Sequence, residues 1–240
     1  MMRFKSLRFL IFAAIIFTSL NSCKKSTQPN VSLSLTGTYT SATTFELGEV
    51  QMFTAAGQVT DVNLVKDFAR RRQLDFSWEK TEPTNFSSGK FVFANDNEAT
   101  TDLPNRHGVI TPVNFTVIDR SSTSFVLKQN EAIKNVIQKS DLRSVQLAIL
   151  SNQLQPISNC HTEILGEQDR CDYNYLFPFV IDNNNLKLAY YTVALHCEQG
   201  SSIQGYSSTE VGLFNKAVIQ QLIPGDTLVV QTKLLALSKN

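Results

Sequence analysis

Cysteine and histidine are the side chains of this 240-residue chain best suited to metal binding, and most of them fall in two clusters. The clusters are Cys160-His161 with Cys171, and His196-Cys197. Zinc takes four such ligands in structural sites. Neighbours on a strand face opposite sides, so His196 and Cys197 cannot easily serve one ion. Because no C-x2-C or H-x3-H spacing supports a site either, the sequence predicts no metal ligands.

Other spacings that could support catalysis are incomplete. His161-Thr162-Glu163 has the H-x-E step of zinc deaminases without their P-C-x-x-C partner. Asn95-Asp96-Asn97-Glu98 lacks the acidic spacing and the glycine of a calcium loop, and is typical of a hairpin tip. No nucleophile elbow, H-E-x-x-H helix or Walker loop occurs. The pattern therefore favours a protein without catalytic residues or a cofactor, and one that is not an enzyme.

Residues 1–22 have the order of a secretory signal, because three basic residues precede an apolar run that starts at Phe9. The run is short for a membrane-spanning helix, which needs about 20 apolar residues. Leu20-Asn21-Ser22-Cys23 resembles the lipobox of bacterial lipoproteins. The resemblance implies cleavage before Cys23 and attachment of lipid to that cysteine, and two or more acyl chains anchor a protein stably.

The residue after the cysteine bears on the destination of such a lipoprotein. Lys24 stands there, whereas an aspartate marks retention at the inner membrane in the lipoproteins that the lipobox resembles. The resemblance therefore implies the outer membrane. No acidic run follows Cys23, which favours the periplasmic face. The expected partner is thus the membrane itself, through the lipid on Cys23.

Composition limits the functions and the domain organisation that the rest of the chain can have. Removal of residues 1–22 changes the formal net charge from +1 to −2, which gives no clustered basic face for nucleic acid. Residues 23–34 are polar and short, and are predicted to be a lipidated tether. Residues 35–240 are predicted to form a single, mostly β domain, with no internal repeat and no second linker.

Three cysteines remain after lipidation, and an oxidising compartment allows them to form a disulfide. Cys160 and Cys171 flank a polar loop and are the favoured pair; such a bridge stabilises by about 3 kcal/mol in the chain-entropy model. Cys197 shares its strand parity with Tyr191, so it is expected to face the core while His196 faces the other way. The sequence does not fix the pairing, and Cys197 stays a candidate for it.

Alternation of apolar and polar residues dominates the domain and predicts antiparallel strands. Two hairpins are predicted, at 113–128 and at 179–197, the second with an asparagine-rich turn at 182–185 that suits left-handed backbone. Residues 227–237 predict a closing strand. Further strands are predicted at 74–79, 91–93 and 145–149.

Helices are predicted at fewer places. Asp61 can cap a helix over 62–72, and Arg70–Arg72 at its end complement the helix dipole more readily than they grip phosphate. Ser207-Ser208-Thr209-Glu210 is a capping box that predicts a helix continuing to Leu222. A competing interpretation makes 218–223 a strand that turns into the last one. A third helix is predicted over 131–138.

A chain of about eight antiparallel strands must hide its edges, and closure into a barrel does so completely. The sequence therefore predicts a mainly β fold, an antiparallel barrel-like domain with one or two short helices, with a β-sandwich as the alternative. Leu35-Thr36-Gly37-Thr38-Tyr39 resembles the opening of lipocalin-like bacterial lipoproteins, whose first strand carries a Gly-x-Trp step. A late helix before one closing strand also fits the lipocalin order.

The fold prediction leads to two hypotheses for function. A lipocalin-like barrel implies that a lipid or another small apolar ligand binds in its interior. The candidate lining residues are the aromatic ones, Trp78, Phe91, Phe93, Phe125 and Tyr191. The alternative is a protein-interaction or envelope-assembly module, with a filled core and an exposed apolar patch for an envelope protein.

Overall fold

A computed structural model describes residues 33–84, 89–104, 110–138, 143–151, 157–162, 168–199 and 202–240. Most of these residues are in strands, which are β1 Gly37–Leu47, β2 Gln51–Thr54, β3 Gly57–Val59, β4 Thr81–Pro83, β5 Lys90–Phe93, β6 Glu98–Pro104, β7 Ile110–Ile118, β8 Ser124–Gln129, β9 Ile133–Gln138, β10 Ile157–Thr162, β11 Gln168–Tyr173, β12 Leu176–Asp182, β13 Asn185–Gln199, β14 Ser202–Val211 and β15 Thr227–Lys239.

The helices of the described residues are α1 Val62–Arg71, α2 Arg143–Ser151 and a 3-10 helix over Lys216–Gln221. Across the described ranges, none of them has the length and apolar character that crossing a bilayer requires.

Eight strands close into a barrel. In chain order β1, β5, β6, β7, β8, β12, β13 and β15 each pair antiparallel with the next, and β15 pairs back with β1. This is an up-and-down order, which removes every edge along the barrel wall. The prediction of a mainly β, antiparallel, barrel-like fold is confirmed.

The barrel interior is filled by one cluster of side chains, here called the barrel core. Alternation along each strand sends every second residue inward, so the core collects aromatic and leucine side chains from seven barrel strands and Ala99 from β6. Its buried members are Leu35, Tyr39, Phe45, Phe91, Phe93, Ala99, Phe115, Phe125, Leu127, Phe177, Phe179, Leu186, Leu188, Tyr190, Leu235 and Leu237.

Two of the barrel strands are longer than the barrel and carry a second layer. Beyond Tyr190, β13 pairs with β14 on one side and β15 on the other, and β15 in turn pairs with β2. The resulting strip, β14-β13-β15-β2-β3, is here called the sheet extension. One of its faces is covered by α2 and the 3-10 helix, and the other packs against Val65 of α1.

A separate three-stranded sheet has the order β10-β11-β9. The helix predicted over 131–138 is wrong, because Ile133–Gln138 forms β9 and pairs with β11 along its whole length. Pairing with a strand thirty residues later is a long-range contact, which local helix propensity does not report.

The strand predicted at 145–149 is wrong, because Arg143–Ser151 is helix α2. Its buried residues are Ser144, Leu147, Ala148 and Ser151, a spacing of three and four that only a helix places on one face. Ile149, which the strand would have turned inward together with Leu147, is 37% exposed. Short apolar segments fit both periods, and contact with the sheet extension selects the helix.

The helix predicted from the capping box at Ser207 is also wrong. Residues Ser202–Val211 form β14 and pair with β13 without a break. Ser208 Oγ instead donates to Glu210 Oε1, a contact along the strand. What remains helical is the 3-10 helix, for which the Asn215 side chain accepts from Ala217 N. The competing strand at 218–223 does not form either, although the turn at Pro224-Gly225-Asp226 does.

The strand predicted at 74–79 is not formed, since these residues are irregular. Phe76 packs under α1, but its neighbours pair with no strand. The remaining elements are confirmed: the hairpins β7–β8 and β12–β13, strand β5, the closing strand β15 and helix α1. Asn183 and Asn184 take the positive φ angles, 49° and 64°, that their turn requires. Asp61 caps α1 by accepting from Asn63 N and Leu64 N.

The chain enters the barrel through residues that the sequence assigned to the tether. Arg120 Nη2 donates to Leu33 O at 2.5 Å, and Leu35 N donates to Asp96 Oδ1 at 2.8 Å. Arg120 and Asp96 form an ion pair at 3.3 Å. These contacts hold Leu33 and Leu35 to the loops that follow β5 and β7. Residues 1–32, with the predicted signal and Cys23, lie outside the described residues.

Candidate functional site

A groove lies on the α1 face of the sheet extension, at a position where β14 carries a glycine and so no side chain. The register of β13 and β14 places Gly205 directly opposite His196. A Cβ atom at Gly205 would have open space around it, with nothing outside its chain neighbours within 4 Å. The adjacent residue on the same face of β13 is Ala194, which is also small. The sheet therefore presents a floor with little side-chain bulk beside His196.

The end of helix α1 provides the wall over this floor. Phe68, Arg72 and Leu74 line it, and residues Ala194–His196 and Gly205–Ser207 line the opposite side. The groove encloses about 370 Å³. Ligand sites range from about 300 to 1,000 Å³, so this one suits a small molecule. We call it the His196 groove.

His196 is the polar group at the base of the groove. The side chain is buried, with the residue 8% exposed, and its Nε2 has no hydrogen-bond partner. Glu198 Oε1 lies 3.8 Å from Nε2, beyond hydrogen-bond distance. Phe68 meets the imidazole edge-on, with ring centroids 6.0 Å apart. Nε2 itself has almost no accessible surface, so the His196 ring, and not this nitrogen, borders the groove.

The charge on His196 is set by its surroundings. Burial lowers the pKa of the imidazole, and the nearby Arg72 guanidinium lowers it further, against an opposing effect of Glu198. The imidazole is therefore neutral at pH 7, with one ring nitrogen as donor and the other as acceptor. His196 faces away from Cys197, as the strand alternation predicts, and α1 covers that face of the strand.

The three arginines at the end of α1 make different contacts. Arg70 pairs with Asp67 at 2.9 Å, and Arg71 Nε donates to Asp67 O, both around the last turn of the helix. Arg72 turns toward the groove, with its guanidinium carbon 6.0 Å from the centre of the Phe68 ring. The mouth of the His196 groove is thus positively charged, while its inner wall is apolar.

The structure brings together three of the five aromatic residues predicted to line a ligand cavity. Phe91, Phe93 and Phe125 all lie in the barrel core and pack around Phe179. Phe125 stacks on Phe179 at 4.8 Å, and Phe91 meets the same ring edge-on at 5.4 Å. These rings occupy the space that an apolar ligand in the interior would need. An eight-stranded barrel is just wide enough for its own side chains to fill it.

The other two aromatic candidates lie outside the barrel. Tyr191 is fully buried, but on the α2 face of the sheet extension, where its hydroxyl lies 3.3 Å from Ser151 Oγ. Trp78 is 42% exposed beside α1, with Lys66 Nζ 5.2 Å from the centre of its ring.

Trp78 lines a second groove of about 390 Å³ between residues 47–50 and the start of α1. Gln231 forms part of its base, and its Nε2 donates to Gly48 O and Ser77 O. The groove is rimmed by charged side chains of both signs, and the Lys66 ammonium already lies over the indole.

Cys197 and His196 cannot act together, because they lie on opposite faces of β13. Cys197 is fully buried and is a free thiol. Burial, together with the Asp226 carboxylate, raises the pKa of this thiol to about 12. The reactive thiolate is therefore not populated at pH 7.

A buried ion pair lies next to Cys197. Arg143 Nε donates to Asp226 Oδ2 at 2.8 Å, and Ile223 N donates to the same oxygen at 3.0 Å. The Asp226 side chain has no exposed surface. Arg143 opens α2 and also donates to Gln221 O, so the pair fixes α2 and the 3-10 helix on the sheet extension.

The remaining cysteine and histidine candidates are in part of the chain described only by its backbone. Cys160 and His161 belong to β10 and Cys171 to β11, and their side chains lie outside the described residues. Among the residues that the structure does describe, no group of three or more His, Cys, Asp or Glu side chains could hold a metal ion. The segment Asn95–Glu98 forms the β5–β6 hairpin tip.

Sequence reasoning missed most of the His196 groove. The capping box that begins at Ser207 predicted a helix there, so the strand that contains Gly205 and Ser207 was not predicted. Arg72 was interpreted only as a charge at the end of a helix. The available signal was the alternation of small and larger residues in Gln204-Gly205-Tyr206-Ser207-Ser208, which fits a strand beside β13.

No family model, no curated protein and no solved structure matches this chain.

Proposed function

We propose that this chain is a cell-envelope lipoprotein, anchored through lipid on Cys23, whose domain binds a small ligand in the His196 groove. The observation that carries the binding proposal is the open, partly apolar groove of about 370 Å³ beside His196, whose floor carries no side chain at Gly205.

The groove replaces the barrel interior as the binding place. The barrel core is packed with aromatic rings, and opening it would expose side chains such as Phe179, which is 1% exposed. The groove needs no such rearrangement, because its floor is already open above Gly205. A preformed site keeps the cost of binding low.

Native mass spectrometry tests the binding proposal. Residues 24–240, exported to the periplasm of a bacterial host, are expected to carry a non-covalent adduct of a few hundred daltons. Gly205→Leu fills the groove without straining the backbone and is expected to remove the adduct. Trp78→Ala, in the second groove, is the matched control and is expected to retain it. A bare monomer mass for the unmodified protein would overturn the proposal.

Anchoring is tested separately. A cell grown with an alkyne-bearing palmitate is expected to label the full-length protein and to retain it in the outer-membrane fraction. Cys23→Ser is expected to lose both the label and the membrane association. Unchanged labelling of Cys23→Ser would show that the lipid is attached elsewhere. The support for this part of the proposal is the lipobox-like sequence and Lys24 after the cysteine.

We also propose that Cys160 and Cys171 form a disulfide in that compartment. Their strands pair antiparallel, with Ser158 opposite Asp172 and His161 opposite Arg170, so the register sets Cys171 across from a two-residue irregularity that contains Cys160. Alkylation of the unfolded, non-reduced residues 24–240 is expected to modify one thiol, that of Cys197, and three after reduction. Three modified thiols without reduction would exclude the bridge.

A protein-interaction module is the second candidate. Val62 and Leu64 on α1 are 57% and 54% exposed, and Trp78 lies close to Val62 beside the second groove. Exposed apolar groups of this kind suit a partner surface. An absent adduct together with a protein cross-linked through this face in the envelope would favour the second candidate over the first.

A further inference from the structure

We propose that the His196 groove selects a small organic carboxylate, with Arg72 pairing with the carboxylate at the mouth. This inference rests on the proposed ligand-binding function and adds the chemical class of the ligand. It is carried by two features that meet in one groove, a cation at the mouth and an apolar wall behind it.

The cation is free to act on a ligand. Arg70, two residues before Arg72, forms an ion pair with Asp67, and Arg71 Nε donates to the backbone carbonyl of Asp67. Arg72 lines the groove and has the Phe68 ring beside it at 6.0 Å. A guanidinium presents a planar fork of donors that matches a carboxylate and binds it more tightly than a neutral acceptor.

The His196 ring closes the base of the groove. Its side chain is nine-tenths buried and lines the groove beside Gly205. Glu198 Oε1 lies 3.8 Å from His196 Nε2, but the Glu198 side chain is 56% exposed, so solvent screens its repulsion of an anion.

The apolar wall sets the rest of the ligand. Phe68 and Leu74 face the floor formed by Ala194 and Gly205, which leaves room for a short alkyl chain or one ring. A volume of about 370 Å³ excludes a large lipid with two chains. The expected ligand therefore has one acidic group and a compact apolar body.

Isothermal titration calorimetry on the full lipidated chain in nanodiscs, with empty nanodiscs subtracted, tests this inference. The probes are octanoate, its neutral analogue octanamide and octylamine. Octanoate is expected to bind about tenfold or more tightly than octanamide, and octylamine is expected not to bind. Arg72→Gln is expected to weaken octanoate about tenfold and to leave octanamide unchanged.

Two matched variants locate the effect. Arg70→Gln removes an equal charge from the same helix end, outside the groove, and is expected to bind octanoate as the unmodified protein does. Gly205→Leu is expected to abolish binding of both octanoate and octanamide. If Arg70→Gln lost as much affinity for octanoate as Arg72→Gln, the preference for octanoate would come from the overall charge of the helix end and not from Arg72. That result would overturn the inference.

The remaining outcomes separate the two proposals. Equal affinity for octanoate and octanamide, lost in Gly205→Leu, would keep the groove as a binding site and overturn its preference for acids. Absence of binding by all three probes would overturn the carboxylate inference, and the adduct measured by mass spectrometry would then decide whether the groove binds another class of ligand.

Discussion

At the scale of single residues, burial and partners decide what a side chain does, and residue type alone does not. Phe179 and Trp78 are both large aromatic residues of a β-rich chain. Phe179 is 1% exposed and contacts three rings on the barrel strands β5 and β8, whereas Trp78 is 42% exposed and contacts Lys66. The same contrast holds for ion pairs, since Asp226–Arg143 is buried and Asp67–Arg70 is exposed.

Truncation of the central ring of the barrel core is expected to be costly. Phe179→Ala removes stacking and leaves a cavity, and is expected to lower the free energy of unfolding by about 3–5 kcal/mol. Trp78→Ala is the matched control and is expected to lower it by less than about 1 kcal/mol, the value of an exposed cation–π contact. Urea denaturation followed by circular dichroism measures both. Similar losses would contradict the filled barrel.

Removal of one partner of the buried ion pair is also expected to be severe. Asp226→Asn leaves the Arg143 guanidinium without its carboxylate and is expected to cost about 3–5 kcal/mol of unfolding free energy. Asp67→Asn breaks the exposed pair with Arg70 and is expected to cost about 0–1 kcal/mol. Chemical denaturation of the two variants in the same buffer makes the comparison. A small loss for Asp226→Asn would mean that solvent reaches the pair.

At the scale of elements, the sheet extension is what positions the candidate site. β13 and β15 run on past the barrel, so their outer halves need cover on both faces, and α1 and α2 provide it. The His196 groove is the place where that cover is incomplete, because α1 ends at Arg71 while β13 and β14 continue. The site thus depends on the start and length of α1 as much as on the strands.

The cap of α1 is expected to contribute measurably. Asp61→Ala removes the acceptor for Asn63 N and Leu64 N, and is expected to lower the free energy of unfolding by about 1 kcal/mol. Asp61→Ser keeps an acceptor and is expected to stay close to the unmodified protein. Thermal or urea unfolding distinguishes the two. Equal stability of the alanine and serine variants would mean that the cap is not used.

At the scale of the whole molecule, the chain entry and the groove lie at opposite ends of one long strand. Asn185, at the start of β13, lies beside Leu33 and Ser34 where the described chain begins. His196 lies eleven residues further along β13, about 36 Å away. The entry is held by Asp96 and Arg120, which join the β5–β6 and β7–β8 hairpins to the first residues of the barrel.

This join predicts a pH dependence of stability. The hydrogen bond from Leu35 N, followed by the charge of Arg120, lowers the pKa of Asp96 below its ordinary value of 3.8. Since the folded pKa lies below the unfolded one, the contribution is fully present at neutral pH and is lost as the pH falls below about 4 through the folded value. Asp96→Asn is expected to be less stable than the unmodified protein at pH 7.

Denaturation midpoints at pH 7 and pH 3 measure this effect. The difference between the unmodified protein and Asp96→Asn is expected to shrink at pH 3, where the unmodified carboxyl is increasingly protonated. A difference that stays constant between the two pH values would show that Asp96 does not act through its charge.

Much of the fold follows from local patterns. The alternation at 113–128, 179–197 and 227–237 predicts strands that form, and the asparagines at 183 and 184 predict the turn between two of them. Asp61 and the apolar spacing after it predict α1. These features involve neighbours in the sequence, so the residues that carry the signal are the residues that interact.

The elements that local patterns misassign are the ones whose partners are distant. Ser202–Val211 satisfies a helix capping box, yet forms β14 because the free edge of β13 offers ten paired residues. Residues 145–149 fit a strand by alternation, yet belong to α2 because the face of the sheet extension needs cover. Free energy from burial and ladder pairing exceeds the small differences in intrinsic propensity.

The sequence by itself determined a mainly β chain with antiparallel hairpins, a closing strand and one capped helix, and it predicts lipid on Cys23. Only the tertiary structure decided that the aromatic residues fill the barrel, and that His196, Gly205 and Arg72 meet at one groove. These three residues come from two strands and a helix end separated by many residues. Their meeting depends on strand register and helix packing, which are set by long-range contacts that no local pattern encodes.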